Sequence, residues 1–231
     1  LKFGSNSFFK GVLESDPKKS ILTFKSPEIK NESFFAKNVK IKLDNDNPIF
    51  NSFVEIDSLS TQYFKANNFN LISSNINDTL YVKSNFNSGK NKSDKFDFNL
   101  SYTNRDNIHA IGFKPSTIKY KNVIWELKTK FNSKNTFVYD SNTKGFKLEP
   151  INMTNSLEKI IFNANALDSL STTIDVKFED VDLSKVTPDI DSLKLGGIVN
   201  GKLELLKSNG TYLPKSLLSI NSFNVNGFNL G

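Results

Sequence analysis

Polar and apolar residues alternate without interruption along Thr173-Ile174-Asp175-Val176-Lys177-Phe178, and this pattern indicates the fold class. Successive side chains of a β-strand point to opposite faces, so this pattern predicts a strand with one apolar and one hydrated face. The same alternation recurs at residues 22–24, 39–43, 80–82, 96–102, 199–205 and 218–220. We therefore predict an all-β protein built from half-buried antiparallel strands.

Short polar stretches separate the predicted strands. Asn and Gly tolerate positive φ and so favour tight turns. These turn signals are Asn45–Pro48, Asn87–Gly89, Asn104–Asn107, Ser208–Gly210 and Asn226–Gly227.

Helix signals are few and short. Asp182 is a good N-cap for one helical turn, which Pro188 would end. A second short turn is predicted over residues 155–161. Neither is long enough to form a helical layer. With no Pro-rich or Gly/Ser linker, residues 1–231 are predicted to form a single continuous β unit.

Composition narrows the possible functions. Hydrophobic residues make up 37% of the 231 residues, which favours sheets with one dry face over a thick two-sided core. The net charge is +6, but 29 of the 30 cations are Lys and Arg105 is the single Arg. Nucleic-acid surfaces rely on the planar fork of Arg, so this composition argues against nucleic-acid binding. Without Cys the chain has no disulfide or thiolate metal site.

No group of residues points to catalysis. His109 is the single His, and no Gly-x-Ser-x-Gly motif accompanies it. We expect no enzyme and no cofactor. Two weaker interpretations remain open: a divalent-ion site among Glu179, Asp180, Asp182, Asp189 and Asp191, and a sugar platform of Tyr120, Trp125 and Phe131. A solvated loop explains the first set, and packing against a sheet explains the second.

The apolar strand faces permit two architectures. Two sheets can close on each other and form a sandwich core, or one sheet can fold into an open U whose apolar lining stays available to a ligand. The alternation of residues is the same in both.

Several stretches share motifs with one known family. Leu195–Leu206, which reads LGGIVNGKLELL, resembles the L-x-G-x-x-(N/D)-G-x-(L/I)-x-(L/I) repeats of the TamB and AsmA-like envelope proteins. Residues 111–118, with Asn122 and Trp125, are similar to an F-x-P-S-x-I…N-x-x-W element of TamB. Further similar stretches are residues 77–82, 96–100, 176–183, 213–220 and 223–231. The resemblance covers residues 75–231 well, and residues 1–74 share its general pattern.

The resemblance implies an elongated, curved antiparallel sheet folded into a U-shaped, taco-like groove. It implies a section of a longer periplasmic protein, anchored in the inner membrane through a part that this chain does not include. In this family, the groove is associated with moving phospholipid between the two membranes. The family is also associated with outer-membrane protein assembly beside a barrel partner of the TamA/BamA type.

The predicted lining of the groove consists of the alternating apolar residues. They are Phe96, Phe98, Leu100, Ile174, Val176, Phe178, Val199, Leu203, Leu205, Leu218 and Ile220. Two other functions stay open: a β-sandwich module that binds glycan or protein on an envelope surface, and a sheet edge that accepts a strand of another protein.

Overall fold

The computed structural model describes residues 1–15, 18–47, 49–127, 135–168, 170–188, 193–208 and 210–231. These residues form 18 β-strands, one α-helical turn and one 3₁₀ turn. Each pair of neighbouring strands whose register is described below is antiparallel. The prediction of an all-β, antiparallel fold is confirmed. The chain divides into two compact units, unit 1 (Leu1–Ser101) and unit 2 (Tyr102–Gly231). The U-shaped groove and the single continuous β unit stay predictions.

Unit 1 is a meander in which each strand pairs with the next from β2 to β7. β1 pairs with the far end of β3, beyond β2. The strands are β1 (Lys2–Phe3), β2 (Phe8–Ser15), β3 (Lys18–Lys30), β4 (Phe34–Asp44), β5 (Ser52–Thr61), β6 (Lys65–Ile76), β7 (Thr79–Ser88) and β8 (Asp94–Arg105), with the 3₁₀ turn at Lys90–Lys92. β8 begins in unit 1 and ends in unit 2.

Unit 2 is a meander with one branch. Strands β12 to β18 pair in sequence, and β9 pairs with β12. The β10–β11 hairpin pairs with the other end of β13 and forms the branch. The elements are β9 (Ile108–Phe113), β10 (Ser116–Tyr120), β11 (Val123–Leu127), β12 (Thr136–Asp140), β13 (Phe146–Asn155), β14 (Glu158–Ala166), β15 (Ser171–Asp182), α1 (Leu183–Val186), β16 (Leu195–Ser208), β17 (Thr211–Val225) and β18 (Phe228–Asn229).

A row of four residues interrupts the strand pairing in unit 1. Pro27, Asn38, Asp57 and Asn68 stand opposite one another on β3 to β6, because the register is the same on both sides of them. Asn38 and Asn68 each have a φ of 51°, in the left-handed region that Asn tolerates better than most residues. The Asn38 Nδ2 donates a hydrogen bond to the Asp57 Oδ2 at 2.6 Å. We call these four residues the fold line.

The fold line keeps one face of the sheet apolar on both sides of it. Residues three apart on a regular strand face opposite sides. Ala36 and Val39 nevertheless are both buried, and the left-handed Asn38 between them shifts the alternation by one residue. Ala66, which is buried, and the half-buried Phe69 flank Asn68 in the same way.

In unit 2, a β-bulge shifts the alternation of side chains in the same way. The register of β15 and β16 shifts between Phe178 and Val181, and Asp180 between them has a φ of 52°. The backbone N–H of Asp180 donates to the Asn200 Oδ1 at 2.8 Å, and the Asn200 Nδ2 donates back to the Asp180 Oδ1 at 2.9 Å. Phe178 and Val181 consequently pack into the same apolar cluster.

The turn predictions are largely confirmed. Asp106 and Asn107 both have positive φ between β8 and β9, as Asn226 and Gly227 have between β17 and β18. Two consecutive residues of positive φ match the twist of a two-residue hairpin turn. Pro48 and Asn209, which belong to two other predicted turns, lie outside the described residues.

One of the two helix predictions is confirmed and the other is wrong. α1 begins after Asp182, whose carboxylate accepts the backbone N–H of Ser184 at 2.9 Å. Residues 155–161 instead end β13, form a tight turn and begin β14. Ser156 has a φ of 52°, which a helix does not accept, and pairing with β13 and β15 determines the conformation of the following residues.

We predict that Asn38→Val destabilises the protein by about 1–3 kcal/mol, because a β-branched residue is strained at positive φ. Asn38→Gly should cost about 1 kcal/mol or less, since it removes only the exposed hydrogen bond to Asp57. Urea unfolding followed by circular dichroism measures both. Equal losses for the two variants would contradict the role of backbone strain at the fold line.

Candidate apolar binding faces

An apolar stripe crosses three neighbouring strands of unit 2. Ile174 and Val176 of β15 stand opposite Leu205 and Leu203 of β16. On its other side β15 pairs with β14, where Phe162 stands opposite Val176. All five side chains are half-buried. The structure therefore brings four of the predicted lining residues together, with apolar surface still accessible.

Two predicted residues of β17 extend this face. Leu218 stands opposite Gly201 and is 40% exposed, whereas Ile220 stands opposite Val199 and is half-buried. Gly201 has a φ of 122°, and a Cβ atom there would lie 2.1 Å from the Leu217 carbonyl oxygen. A side chain at residue 201 is therefore excluded, and Leu218 has no large partner across the strand pair.

Trp125 lies in a region of unit 2 that is closed to solvent. Trp125 and Val199 are each 2% exposed, and with Val181 they form a packed cluster. Apolar side chains from β10, β15, α1 and β17 pack around this cluster: Ile118, Phe178, Leu183, Val186 and Ile220. Val199 is consequently closed to a ligand, and Phe178 and Ile220 contribute to packing.

The burial of Trp125 agrees with the packing interpretation of the aromatic residues. Its ring has no exposed face on which a sugar could stack. The Tyr120 hydroxyl donates to the Thr187 carbonyl at 3.4 Å, and Phe131 lies outside the described residues.

A second cluster contains residues that the sequence analysis did not single out. Leu148, Ile151 and Ala164 are buried on β13 and β14, and Ile174 packs against them. On β14 the apolar Ile161 between Ile160 and Phe162 hides the alternation. The apolar residues of β13 were obscured by a shift of register between Leu148 and Ile151.

Aromatic rings line the apolar face of unit 1. The Phe96 ring stacks on Phe86, with ring centroids 4.7 Å apart and planes at 10°. Phe98 lies 6.2 Å from Phe86 on one side, and Phe69 lies 6.2 Å from it on the other. Leu100 follows on the same strand as Phe98, and all five side chains are half-buried. The sequence analysis found Phe96, Phe98 and Leu100 but not Phe69 or Phe86.

Large apolar side chains of unit 1 are not sealed from solvent. Among its described residues, the buried apolar side chains are the small ones of Ala36, Val39 and Ala66. Two of these flank Asn38 at the fold line, and the third lies near Asn68. Its Phe and Leu side chains are half-buried or exposed, so the unit has one sheet face of accessible apolar surface.

The opposite face of unit 2 carries paired charges. The Lys202 Nζ lies 2.8 Å from the Asp175 Oδ1 and 3.4 Å from the Glu204 Oε2. The hydrogen bond to Asp175 is the main cause that raises the pKa of Lys202 above its usual value. An ionised, water-facing sheet surface is unfavourable for hydrocarbon, which restricts apolar ligands to the other face.

Glu179 continues this charged face between two lysines. Its carboxylate lies 2.9 Å from the Lys177 Nζ and 3.4 Å from the Lys159 Nζ. The hydrogen bond from Lys177, followed by that from Lys159, holds the pKa of Glu179 below its usual value of 4.5.

The candidate metal and catalytic residues have structural partners. His109 Nδ1 and the Tyr102 hydroxyl are 2.8 Å apart, and the His109 ring lies beside Tyr139. Asp180 pairs with Asn200 and Asp182 caps α1, while Asp189 and Asp191 lie outside the described residues. No group of three or more His, Cys, Asp or Glu within the described residues is arranged to hold a metal ion.

Comparison with known proteins adds no assignment. This chain matches no protein-family model, no curated protein and no solved structure. Within the described residues, neither helical segment has the length and apolar character needed to cross a membrane.

We predict that Trp125→Ala destabilises the protein by about 3–5 kcal/mol, because it leaves a cavity against Val181 and Val199. The neighbouring Ile124 is exposed, so Ile124→Ala should change the free energy of unfolding by about 0.5 kcal/mol or less. Urea denaturation measures both variants. A similar small loss for Trp125→Ala would show that the cluster does not hold unit 2 together.

The lowered pKa of Glu179 gives a stability effect with a defined sign. The stabilisation is present above the unfolded pKa, near 4.5, and is lost as the pH falls through the lower folded pKa. Glu179→Gln should therefore lower the urea midpoint at neutral pH, and its difference from the parent should vanish in acid. Added salt should shrink the difference at neutral pH. A difference that persisted in acid would assign the effect to packing.

Proposed function

We propose that this chain is a section of a periplasmic bridge whose apolar sheet faces carry phospholipid acyl chains between the inner and outer membranes. This role would support outer-membrane biogenesis and protein assembly, with a TamA/BamA-type barrel as partner. The chain's resemblance to TamB and AsmA-like proteins supports this proposal. We propose a periplasmic location, with inner-membrane attachment through a segment outside this chain.

The observation that carries the proposal is the accessible apolar surface on one sheet face of each unit, the aromatic face of unit 1 and the apolar stripe of unit 2. A hydrocarbon chain in water costs about 0.8 kcal/mol per CH₂, or roughly 12 kcal/mol for a tail of about 16 carbons. Contact with accessible Phe, Leu and Val side chains would offset part of that cost at every position along the face. Such a face needs no tight site, and a tight site would slow transfer.

A β-sandwich module that binds glycan or protein is the second candidate. The closed cluster around Trp125 and Val199 favours it, because a sandwich requires sealed packing between apolar faces. In that case the exposed loops would make the contacts, and the apolar faces would carry no lipid.

The test places a charge on each side of the same sheet. Val176→Asp and Leu203→Asp put carboxylates on opposite strands of the apolar stripe. Leu217→Asp is the matched control, because Leu217 stands opposite Lys202 on the charged face and is 83% exposed. The probe is phosphatidylethanolamine with a photoreactive diazirine in one acyl chain, supplied to cells that express the full chain.

We expect the two stripe variants to lose most of the lipid crosslinking that the parent shows, and Leu217→Asp to keep it. Mass spectrometry of the purified proteins measures the adducts, and circular dichroism checks that each variant is folded. Folded stripe variants that crosslink lipid as well as the parent would refute the proposal. Absence of adducts from the parent itself would favour the sandwich.

A further inference from the structure

Several chain segments meet at one end of the sheet in unit 1. Lys2 of β1 stands opposite Lys30, where β3 ends. The β3–β4 and β5–β6 turns are neighbours, because Phe34 pairs with Thr61. The β7–β8 connection joins them, since the Ser88 hydroxyl donates to the Lys65 carbonyl at 2.6 Å. We call residues 1–3, 30–35, 61–65 and 89–93 the basic tip surface.

Aromatic side chains stand exposed at the β5–β6 turn. Tyr63 is 86% exposed and Phe64 is 51% exposed. The turn is nonetheless ordered by Thr61, whose Oγ1 accepts the backbone N–H groups of Tyr63 at 3.2 Å and Phe64 at 3.1 Å. Phe3 on β1 is also exposed. Two adjacent exposed aromatics on a fixed turn favour contact with an apolar or interfacial partner.

Lysines surround these aromatic residues. The basic tip surface contains five Lys and one Glu, a net charge of +4, and the Lys30 Nζ pairs with Glu28 just outside it at 2.7 Å. The Lys residues are Lys2, Lys30, Lys65, Lys90 and Lys92. At the opposite end of the strands, the turns at residues 44–47 and 76–79 contain three Asp, and Lys19 near the start of β3 lies 3.6 Å from Asp46. The excess positive charge of the basic tip surface therefore coincides with the exposed Tyr63 and Phe64.

We propose that the basic tip surface docks on an anionic phospholipid membrane. Tyr and Phe side chains insert at the boundary between headgroups and acyl chains, where an aromatic ring is favoured. The lysines lie near the lipid phosphates, and each strengthens binding to an anionic surface by about fivefold. Lys suits this role because a membrane surface presents diffuse charge, whereas paired recognition of individual phosphates favours Arg.

This docking is independent of lipid transport along the apolar faces. It involves the loop ends of the strands and none of the residues of the apolar stripe in unit 2. A failure of the transport proposal would leave it standing, and Leu203→Asp should not affect it.

The experiment measures co-sedimentation of the full chain with lipid vesicles. Vesicles of phosphatidylglycerol mixed with phosphatidylcholine supply the anionic surface, and pure phosphatidylcholine vesicles are the neutral comparison. We expect binding to the anionic vesicles only, with an affinity that falls as salt is added. The double variant Lys90→Gln/Lys92→Gln should weaken this binding by about 25-fold, at about fivefold for each lysine.

Two control variants separate this surface from general charge and hydrophobicity. Lys10→Gln/Lys83→Gln removes the same charge from exposed positions on β2 and β7, away from the tips, and should weaken binding much less. Tyr63→Ser/Phe64→Ser should weaken binding strongly, whereas Ile49→Ser, at an exposed position near the opposite end, should not.

Three results would overturn the proposal. They are binding to neutral vesicles as strong as to anionic ones, equal losses for the tip variants and their controls, and no vesicle binding by the folded parent. The last result would point to an acidic protein as the partner of the basic tip surface. Circular dichroism of every variant excludes unfolding as the cause of a loss.

Discussion

One-sided burial is the constraint on which both units depend. Each long strand presents apolar side chains to one face and polar side chains to the other, so the sheets hold only if neighbouring strands keep the same register. The pairing of β15 with β16 shows both faces. Val176 stands opposite Leu203 on the apolar face, and Asp175 pairs with Lys202 on the charged face. A slip of one residue would expose the first pair and bury the second, at a large cost in free energy.

In the long strands the alternation of apolar and polar residues is interrupted, and polar residues with positive φ keep the apolar side chains on one face. At the fold line and at Asp180, one residue with positive φ shifts the alternation, and apolar side chains on both sides stay on the same face. The small buried residues Ala36 and Ala66 each lie two residues before a left-handed Asn of the fold line.

Local patterns predicted the strands well, because a period of two is a property of neighbouring residues. The alternation at residues 96–102 and 173–178, the turn at Asn226–Gly227 and the cap at Asp182 all follow from short-range chemistry. Sequence reasoning failed where pairing between distant segments decides the outcome. Residues 155–161 are strand and turn because β13 and β15 pair with β14, and no local signal states this. Likewise, nothing near Trp125 indicates that the β10–β11 branch will cover Val199.

The left-handed residues also bear on how such a chain can change its length. Inserting one residue into a regular strand would turn every later side chain to the opposite face of the sheet. Insertions of an odd number of residues should therefore be selected against in long alternating strands. The bulge at Asp180 shows that one additional residue is absorbed when a polar residue there takes the left-handed conformation. In related sheets, strand length can consequently change at these positions while the apolar face of the sheet keeps its composition.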